Sequence, residues 1–510
     1  MRFGADEEDD AGTVATAPAP ARRIARGSEQ QEAFWAELRD GTGHVLLEAR
    51  AGTGKSSSCR EGMWRLLESR RGLVIRYCCY NKAIADEFGR DCPPGVDCGT
   101  MHRFGGAAVT EAFGSTLDKA KTYALLDQEP GGAALPRYVR RSVATLVSHA
   151  KNQALRPGDA DLHARLADLA DHYDVATWGR GDQVVSRAAS LVGRSAECTS
   201  VMDFDDMLWL PVVHGLRFPD VDFLFIDECQ DLNPTQHELA VRLSGSGRTV
   251  VVGDPYQAIY GWRGADVDSI PTLRDKLDAK TLYLTVTWRC PKSHVALARE
   301  LVPDFEAAAG ASEGFVTSAG PDALSRTKPG DLVLCRTNAP LVSACLKEVA
   351  ARRPAVMRGR GIGEDLLATL RKAERGAECR TVADLSARLA RWRAAEVARL
   401  SAKEGAEQQV ELVQDQCACL DAIAGSCSTP AEIPGVVDEL FRDGDTSNRV
   451  TFSSVHRAKG SEAKSVSYIQ VPYSERRDKV RPPAPWEMQQ RRNLRYVALT
   501  RSLDSLTLIA

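Results

Sequence analysis

No excess of charge of one sign marks this chain of 510 residues: 66 Lys plus Arg stand against 69 Asp plus Glu, a formal net charge of −3. The balance removes the simple argument for a polyanion partner, so any nucleic acid has to be held by local patches. C-x-x-C pairs are missing too, although there are 14 cysteines. So few thiols in so long a chain exclude a disulfide scaffold, and their spacing excludes the usual zinc and thioredoxin-like signatures. The tightest group, Cys417, Cys419 and Cys427, has neither a nearby fourth ligand nor a histidine and reads as idle thiols in a reducing cytosol. No window approaches 18 uninterrupted apolar residues, and the acidic run Asp6 to Asp10 precedes any apolar stretch, the reverse of a secretory signal. A cytoplasmic chain that neither spans nor binds a membrane is expected. Internal repeats of fixed period are also absent.

What is present is ordinary globular composition, 43% hydrophobic and 26% charged. At roughly 100–200 residues per domain the length calls for about three or four domain-sized units. Residues 1–26 combine the acidic run, an Ala/Pro/Thr tract and a basic Arg22-Arg23-Ile24-Ala25-Arg26, and are expected to be a disordered tail. Ser28-Glu29-Gln30-Gln31 is a capping signal for a helix with Phe34, Trp35 and Leu38 on one face. Short apolar runs follow, separated by helical segments: Val45 to Leu47, Leu73 to Ile75, Phe223 to Ile226, Val250 to Val252, Leu282 to Leu284, Leu332 to Leu334, Ser465 to Val471 and Leu506 to Ile509. Buried parallel strands read this way. Two stretches, about 107–198 and 364–445, are rich in Ala, Leu, Arg and Glu at helical spacing and read as helical insertions into α/β domains.

The chemistry concentrates at strand ends. Ala49-Arg50-Ala51-Gly52-Thr53-Gly54-Lys55-Ser56 follows the first strand and precedes a helix-compatible stretch, the context a phosphate-binding loop needs. Small residues let backbone N–H groups turn inward, Lys55 reaches the terminal phosphates and the Ser56 hydroxyl is a magnesium ligand. The run Val221 to Ile226 delivers Asp227 and Glu228, suited to holding magnesium and to polarising the attacking water. Alone, such a pair is more often a solvated strand end; beside a phosphate loop it gains a role. Val250 to Val252 opens into Gly253-Asp254-Pro255-Tyr256-Gln257, which puts Gln257 in reach of a γ-phosphate. Its bland reading is a polar turn.

These segments, with Gln30 and the run through Ala258-Ile259-Tyr260-Gly261-Trp262-Arg263-Gly264, resemble in order the motifs of superfamily 1 DNA helicases of the UvrD/Rep/PcrA type. Tyr80-Asn81-Lys82-Ala83, Thr100-Met101-His102, Asp203 to Leu208, Trp288-Arg289, Cys335 to Asn338, Ser454 to Glu462 and Tyr496 to Arg501 extend the resemblance over residues 28–510. It implies two RecA-like P-loop motor domains, each interrupted by a mostly helical accessory domain. The first motor would comprise 27–106 and 199–290 around an insertion at 107–198; the second, 291–363 and 446–510 around a reduced insertion at 364–445. Nothing long, such as a nuclease, is expected after the last strand.

The resemblance also implies roles. ATP and Mg2+ are the cofactors, with Gln30, Ala49, Gly52, Thr53, Gly54, Lys55, Ser56, Trp288 and Glu462 at the nucleotide and Ser56 and Asp227 at the metal. Trp288 stands where relatives usually carry Tyr; stacking on adenine tolerates the swap. Lys55, Asp227, Glu228, Gln257, Arg289 and Arg501 would carry catalysis, the two arginines stabilising charge on the γ-phosphate. Single-stranded DNA would lie on Tyr260, Trp262 and Arg263, with Asn81, Thr100, His102, Asn338 and His456 beside it. Residues 451–510 carry eleven Lys/Arg against five Asp/Glu, a local basic bias hidden by the whole-chain balance. Departures are Ser454 for the usual Thr, and Gln489-Gln490-Arg491-Arg492 where relatives commonly have an acidic pair.

The resemblance thus implies an ATP-dependent helicase translocating 3′ to 5′ on single-stranded DNA and opening tailed duplexes in repair, recombination or replication. A translocase that strips bound proteins without unwinding is the alternative. An ATP-gated DNA-binding module without catalysis fits poorly with Lys55, Asp227, Glu228, Arg289 and Arg501 together.

Overall fold

The computed structural model describes residues 23–24, 26–79, 81–173, 175–177, 179–259, 268–374, 379–402, 407–441, 448–473, 482–483 and 485–510. Most of the expected tail, and the candidates Tyr260, Trp262 and Arg263, lie outside the described residues. The chain divides into two compact units between Thr285 and Val286, a few residues before the boundary expected after 290.

In the first unit, six strands form one sheet: β1 (Val45–Ala49), β2 (Ile75–Cys79), β3 (Asp97–Thr100), β4 (Phe223–Ile226), β5 (Arg248–Gly253) and β6 (Lys280–Leu284). Their order is β3-β2-β4-β5-β1-β6, and every pairing is parallel. Because successive strand side chains point to opposite faces, Leu47, Phe225 and Val250 pack with Phe34, Met63 and Phe88 on one side. Leu46, Leu224 and Val251 pack with Phe104, Leu239 and Leu273 on the other. Burial on both faces is why these strands read as continuous apolar runs.

The first helix starts where the capping signal put it. Ser28 caps Glu29–Asp40, its hydroxyl accepting from the Gln31 amide while the Gln31 side chain accepts from the Ser28 amide. Phe34, Trp35 and Leu38 are its buried face. Arg23 and Ile24, within the stretch expected to be a disordered tail, are tied to the helix Lys55–Ser69: the Arg23 guanidinium pairs with Glu61 and Glu68, and the Ile24 amide donates to Glu61.

Between β3 and β4 the chain is helical, as expected, with helices Lys121–Asp127, Arg137–Asn152, Leu162–His172 and Gly181–Glu197. They have an apolar cluster of their own, built on Val143, Leu146, Leu166, Leu191 and Val192 and joined by Trp209 from the helix Phe204–Val213. The helix Met101–Phe113 runs straight through the boundary expected at 106/107, because a composition change need not coincide with a helix end. Two short strands, Thr116–Leu117 and Val201–Met202, pair in parallel where the chain leaves and re-enters this region.

The second unit carries another six-stranded parallel sheet: β7 (Phe315–Ala319), β8 (Leu332–Cys335), β9 (Ala355–Met357), β10 (Val450–Ser454), β11 (Ala463–Ile469) and β12 (Ser502–Ile509), in the order β7-β12-β11-β8-β10-β9. Among the described residues its inserted helices, Arg360–Ala373, Val382–Ser401, Glu407–Ala424 and Ile433–Leu440, have no core separate from the sheet. Leu366, Leu385, Leu420, Ile423 and Val437 share one cluster with the sheet residues Val333, Met357 and Phe452. Cys417 and Cys419 are buried in that cluster, where burial pushes the Cys417 thiol up to about 11. Among the described residues no helix is long and apolar enough to cross a membrane.

Candidate functional site

In a parallel sheet every strand delivers its following loop to the same edge, and that edge is where open α/β sheets bind ligands. In the first unit β1 is followed by the glycine-rich loop, β4 by Asp227-Glu228 and β5 by Asp254. Since β5 lies between β4 and β1, Asp254 stands between the loop and the carboxylate pair.

The loop is closed by Thr53, which donates from its hydroxyl and its amide to the Arg50 carbonyl, at 2.8 and 3.4 Å. Gly52 and Gly54 adopt φ of +70° and +83°, the left-handed region that L side chains avoid. The turn aims the first amides of the helix Lys55–Ser69 back over β1, a donor set and dipole suited to an anion. Ala49 ends β1, buried, as the last residue before the loop.

Lys55, Ser56, Asp227 and Glu228 are brought together. Lys55 Nζ is 3.1 Å from Glu228 Oε1, and Ser56 Oγ is 3.4 Å from Asp227 Oδ2. Tyr77, on β2, donates its phenol to the same Asp227 oxygen at 2.8 Å, and the Glu228 amide donates to Asp227 Oδ1 at 2.9 Å. Burial raises the Asp227 carboxyl above the usual range and the neighbouring Glu228 charge raises it further, while Lys55 and the Tyr77 hydrogen bond work against the rise. Glu228 itself has φ +52°, a strained backbone for a non-glycine residue of the kind held at functional sites.

A second layer fixes these groups. Gln230 donates to Glu228 from its amide nitrogen and accepts the Asp254 amide at 3.0 Å on its oxygen. Asp254 in turn accepts from Gln257 Nε2 at 2.7 Å and lies 3.9 Å from the Arg50 guanidinium. Burial raises the Asp254 carboxyl as well. Gln257 is therefore at the site, with its amide held by Asp254. Gln30 is locked by a reciprocal pair with Thr285, donating to its hydroxyl and accepting its amide, both at 2.8 Å. Tyr77, Gln230, Asp254 and Thr285 were not assigned from the sequence. Gln230 and Asp254 stand inside the motifs, but only their pairing reveals the role.

The oxygen donors fit a hard divalent cation: a hydroxyl and a buried carboxylate side by side are what Mg2+ takes alongside phosphate oxygens. Ser56 and Asp227 would hold it.

Asn81 and Thr100 lie at the same sheet edge and cap helices. Asn81 Oδ1 accepts the Ile84 amide at 2.9 Å, and Thr100 Oγ1 accepts the Arg103 amide at 3.2 Å. His102 borders a small cavity shared with Cys79, Met101, Ile226 and Asp227. These mostly apolar surroundings desolvate the imidazole and push it down to about 4, so it is neutral at pH 7.

In the second unit the expected residues fall at two opposite sheet edges. Asn338 and His456 follow β8 and β10, adjacent parallel strands, and sit at their C-terminal edge. Glu462 and Arg501 immediately precede β11 and β12, at the N-terminal edge, where the Ala463 amide donates to the Arg501 carbonyl at 3.1 Å. Arg289 Nε is 2.6 Å from Glu462 Oε2, and Trp288 beside it is 61% exposed. The Arg501 side chain is buried, donating to the Val497 carbonyl at 3.0 Å and to the Thr500 hydroxyl at 3.1 Å. Asn338 is held by a residue missed in the sequence: Asp415, on an inserted helix, accepts from the Asn338 and Ala339 amides at 2.9 and 2.8 Å and from the Asn338 side chain at 3.0 Å.

Comparison with known proteins bears on this arrangement. The UvrD/REP helicase N-terminal domain family matches residues 28–278, the span that holds the loop, the carboxylate pair and Gln257. Residues 28–278 belong to the UvrD/REP helicase N-terminal domain family. The chain is 26% identical over 293 residues to the ATP-dependent DNA helicase PcrA of Leuconostoc citreum, a match covering 51% of this chain and 37% of that protein. It is 30% identical over 166 residues to the PcrA of Staphylococcus aureus strain Mu50, covering 31% of this chain and 21% of that protein. The PcrA of Staphylococcus epidermidis is 29% identical over 181 residues, covering 32% and 22%. The matched part of the chain thus spans well under half the length of these relatives. Within the family, the two parallel sheets correspond to RecA-like domains and the helical regions to accessory domains.

Proposed function

We propose that this chain is an ATP-driven motor on single-stranded DNA that moves 3′ to 5′ and separates tailed duplexes. The observation that carries the reading is the contact between Lys55 and Glu228, 3.1 Å apart beside the Ser56 and Asp227 oxygens. A lysine that stands between the phosphate loop and a carboxylate is placed to serve either. When a nucleotide enters, the loop amides and the helix N-terminus take the phosphates and Lys55 turns to them. Glu228 is then released to orient a water and accept its proton, with Gln230 keeping the carboxylate in position. Magnesium, when bound, supplies charge neutralisation to the phosphates. Tyr77, donating to Asp227 Oδ2, would steady the carboxylate that holds the ion.

Gln30, Trp288 and Glu462 at the nucleotide, Arg289, Arg501 and Gln257 at the γ-phosphate, and Asn81, Thr100, His102, Tyr260, Trp262, Arg263, Asn338 and His456 at DNA belong to the same proposal. So do the domain limits given above. The PcrA relatives, described as ATP-dependent DNA helicases, support it. The merged core of the second insertion keeps the protein-stripping translocase as the second reading, because that insertion is packed onto its motor sheet instead of standing as a body of its own.

Duplexes with a 3′ or a 5′ single-stranded tail test the proposal with ATP present. Strand separation from the 3′-tailed duplex alone is expected. Separation from the 5′ tail alone contradicts the polarity, and no separation with retained displacement of a bound protein selects the second reading.

A further inference from the structure

Cys92 and Cys98 have no part in the site described above, yet their sulfurs lie 3.0 Å apart. The sequence explains the approach. Between them runs Pro93-Pro94-Gly95-Val96-Asp97, and the Val96 amide donates to the Pro93 carbonyl at 3.2 Å. Gly95 takes φ +91°, the positive value that the third position of a type II turn demands, and Pro94 at the second position fixes its own φ. The helix Lys82–Asp91 stops at Cys92, the turn reverses the chain, and β3 begins at Asp97. Two prolines hold the thiols close even before any bond forms, so little chain entropy remains to be lost on joining them.

Both thiols are only partly buried, unlike Cys59, Cys78, Cys229 and Cys335 in the cores. Cations stand near them. Arg103 donates to the Cys98 carbonyl at 2.7 Å, and Arg60 lies 3.8 Å from Asp91, the residue before Cys92. The contact between the two sulfurs lowers the Cys98 thiol; burial and the Asp97 charge oppose the shift, and the Arg103 and Arg60 charges favour it. Partial exposure beside a second thiol, with cations close by, is the environment of a sulfur that reacts with peroxide.

We propose that Cys92 and Cys98 are a reversible oxidation site, a dithiol that a peroxide converts into an intramolecular disulfide. Cys98 sulfur attacks the peroxide, the O–O bond breaks, and a sulfenic acid and one water form. Cys92 sulfur then displaces the hydroxyl from Cys98, forming the S–S bond and releasing a second water. The peroxide gains two electrons and each sulfur gives up one. The bridge fastens the end of the helix that starts beyond Asn81 to the strand that ends in Thr100, so oxidation stiffens the segment between those two residues.

The test uses the full chain and hydrogen peroxide, followed by alkylation with iodoacetamide, trypsin and mass spectrometry. Both cysteines fall in one tryptic peptide, Asp91–Arg103, separate from the one holding Cys78 and Cys79. The expected result is a peptide lighter by two hydrogens and closed to alkylation, reopened by dithiothreitol. In the Cys92→Ser variant the same treatment leaves a Cys98 sulfenic acid that dimedone captures. Doubly alkylated peptide after peroxide, sulfinic acid in place of the bridge, or a bridge to the Cys78–Cys79 peptide overturns the proposal.

Discussion

Lys55→Ala lowers ATP turnover at least about 100-fold, the loss expected when one preorganised donor to a developing phosphate charge is removed. Two effects act together. The phosphates lose their ammonium, and Asp227, whose carboxyl burial and the Glu228 charge already raise, loses the cation that opposes the rise. A protonated Asp227 is a poor magnesium ligand, so the variant should also need more magnesium and a higher pH for its residual turnover. The fold should survive, since Lys55 is the first residue of its helix and the turn before it is set by Gly52, Thr53 and Gly54. Steady-state hydrolysis with saturating DNA, alongside a thermal melt, checks both halves; unchanged turnover removes Lys55 from the site.

The largest effect on stability is expected at a place with no direct chemistry. Asp206 accepts Lys121 Nζ at 2.6 Å on one oxygen and Lys151 Nζ at 2.7 Å on the other, and all three side chains are fully buried. Lys151 also reaches Asp203 at 2.7 Å. Burial alone would lower the Lys151 ammonium; Asp203, Asp206 and Asp205 reverse this and hold it above its ordinary value. Asp206→Ala leaves two buried ammonium groups short of a partner, which costs about 3–5 kcal/mol. Against a total of roughly 5–15 kcal/mol for a typical protein that is a large share, a fall of about 10 °C in melting temperature. Replacing Lys121, Lys151 and Asp206 together by apolar residues of similar volume should recover much of it, because the pair energy and the desolvation cost leave together. A drop of less than about 1 kcal/mol in denaturant unfolding of Asp206→Ala would mean that the two ammonium groups find other partners.

The contrast between these two sites shows what a sequence can hold. The phosphate loop was legible because it is local: strand, small residues, Lys-Ser and helix occupy consecutive positions. Phe223 to Ile226 was legible to the residue, because a central parallel strand must be apolar on both faces. Asp97–Thr100 and Phe315–Ala319 were not expected as strands, since both lie at sheet edges where one side is open and polar residues suffice. Leu73 and Val74 drew the second strand too early; the strand runs from Ile75 through Arg76, whose charge broke the apolar pattern but pairs with Asp97 at 3.7 Å. The supporting contacts were out of reach. Tyr77 meets Asp227 across 150 positions, and Asp415 meets Asn338 across 77. Asp203 to Asp206 were read as a motif segment, and nothing in their spacing announces two lysines from distant helices.

The net charge of −3 that first counted against nucleic acid says little about a site assembled from strand ends. Hydrolysis at Lys55, Asp227 and Glu228 should depend on DNA. Turnover of ATP measured with and without single-stranded DNA reads this coupling: a rate at least about tenfold higher with DNA is expected, equivalent to about 1.4 kcal/mol off the barrier, and an equal rate in both contradicts it.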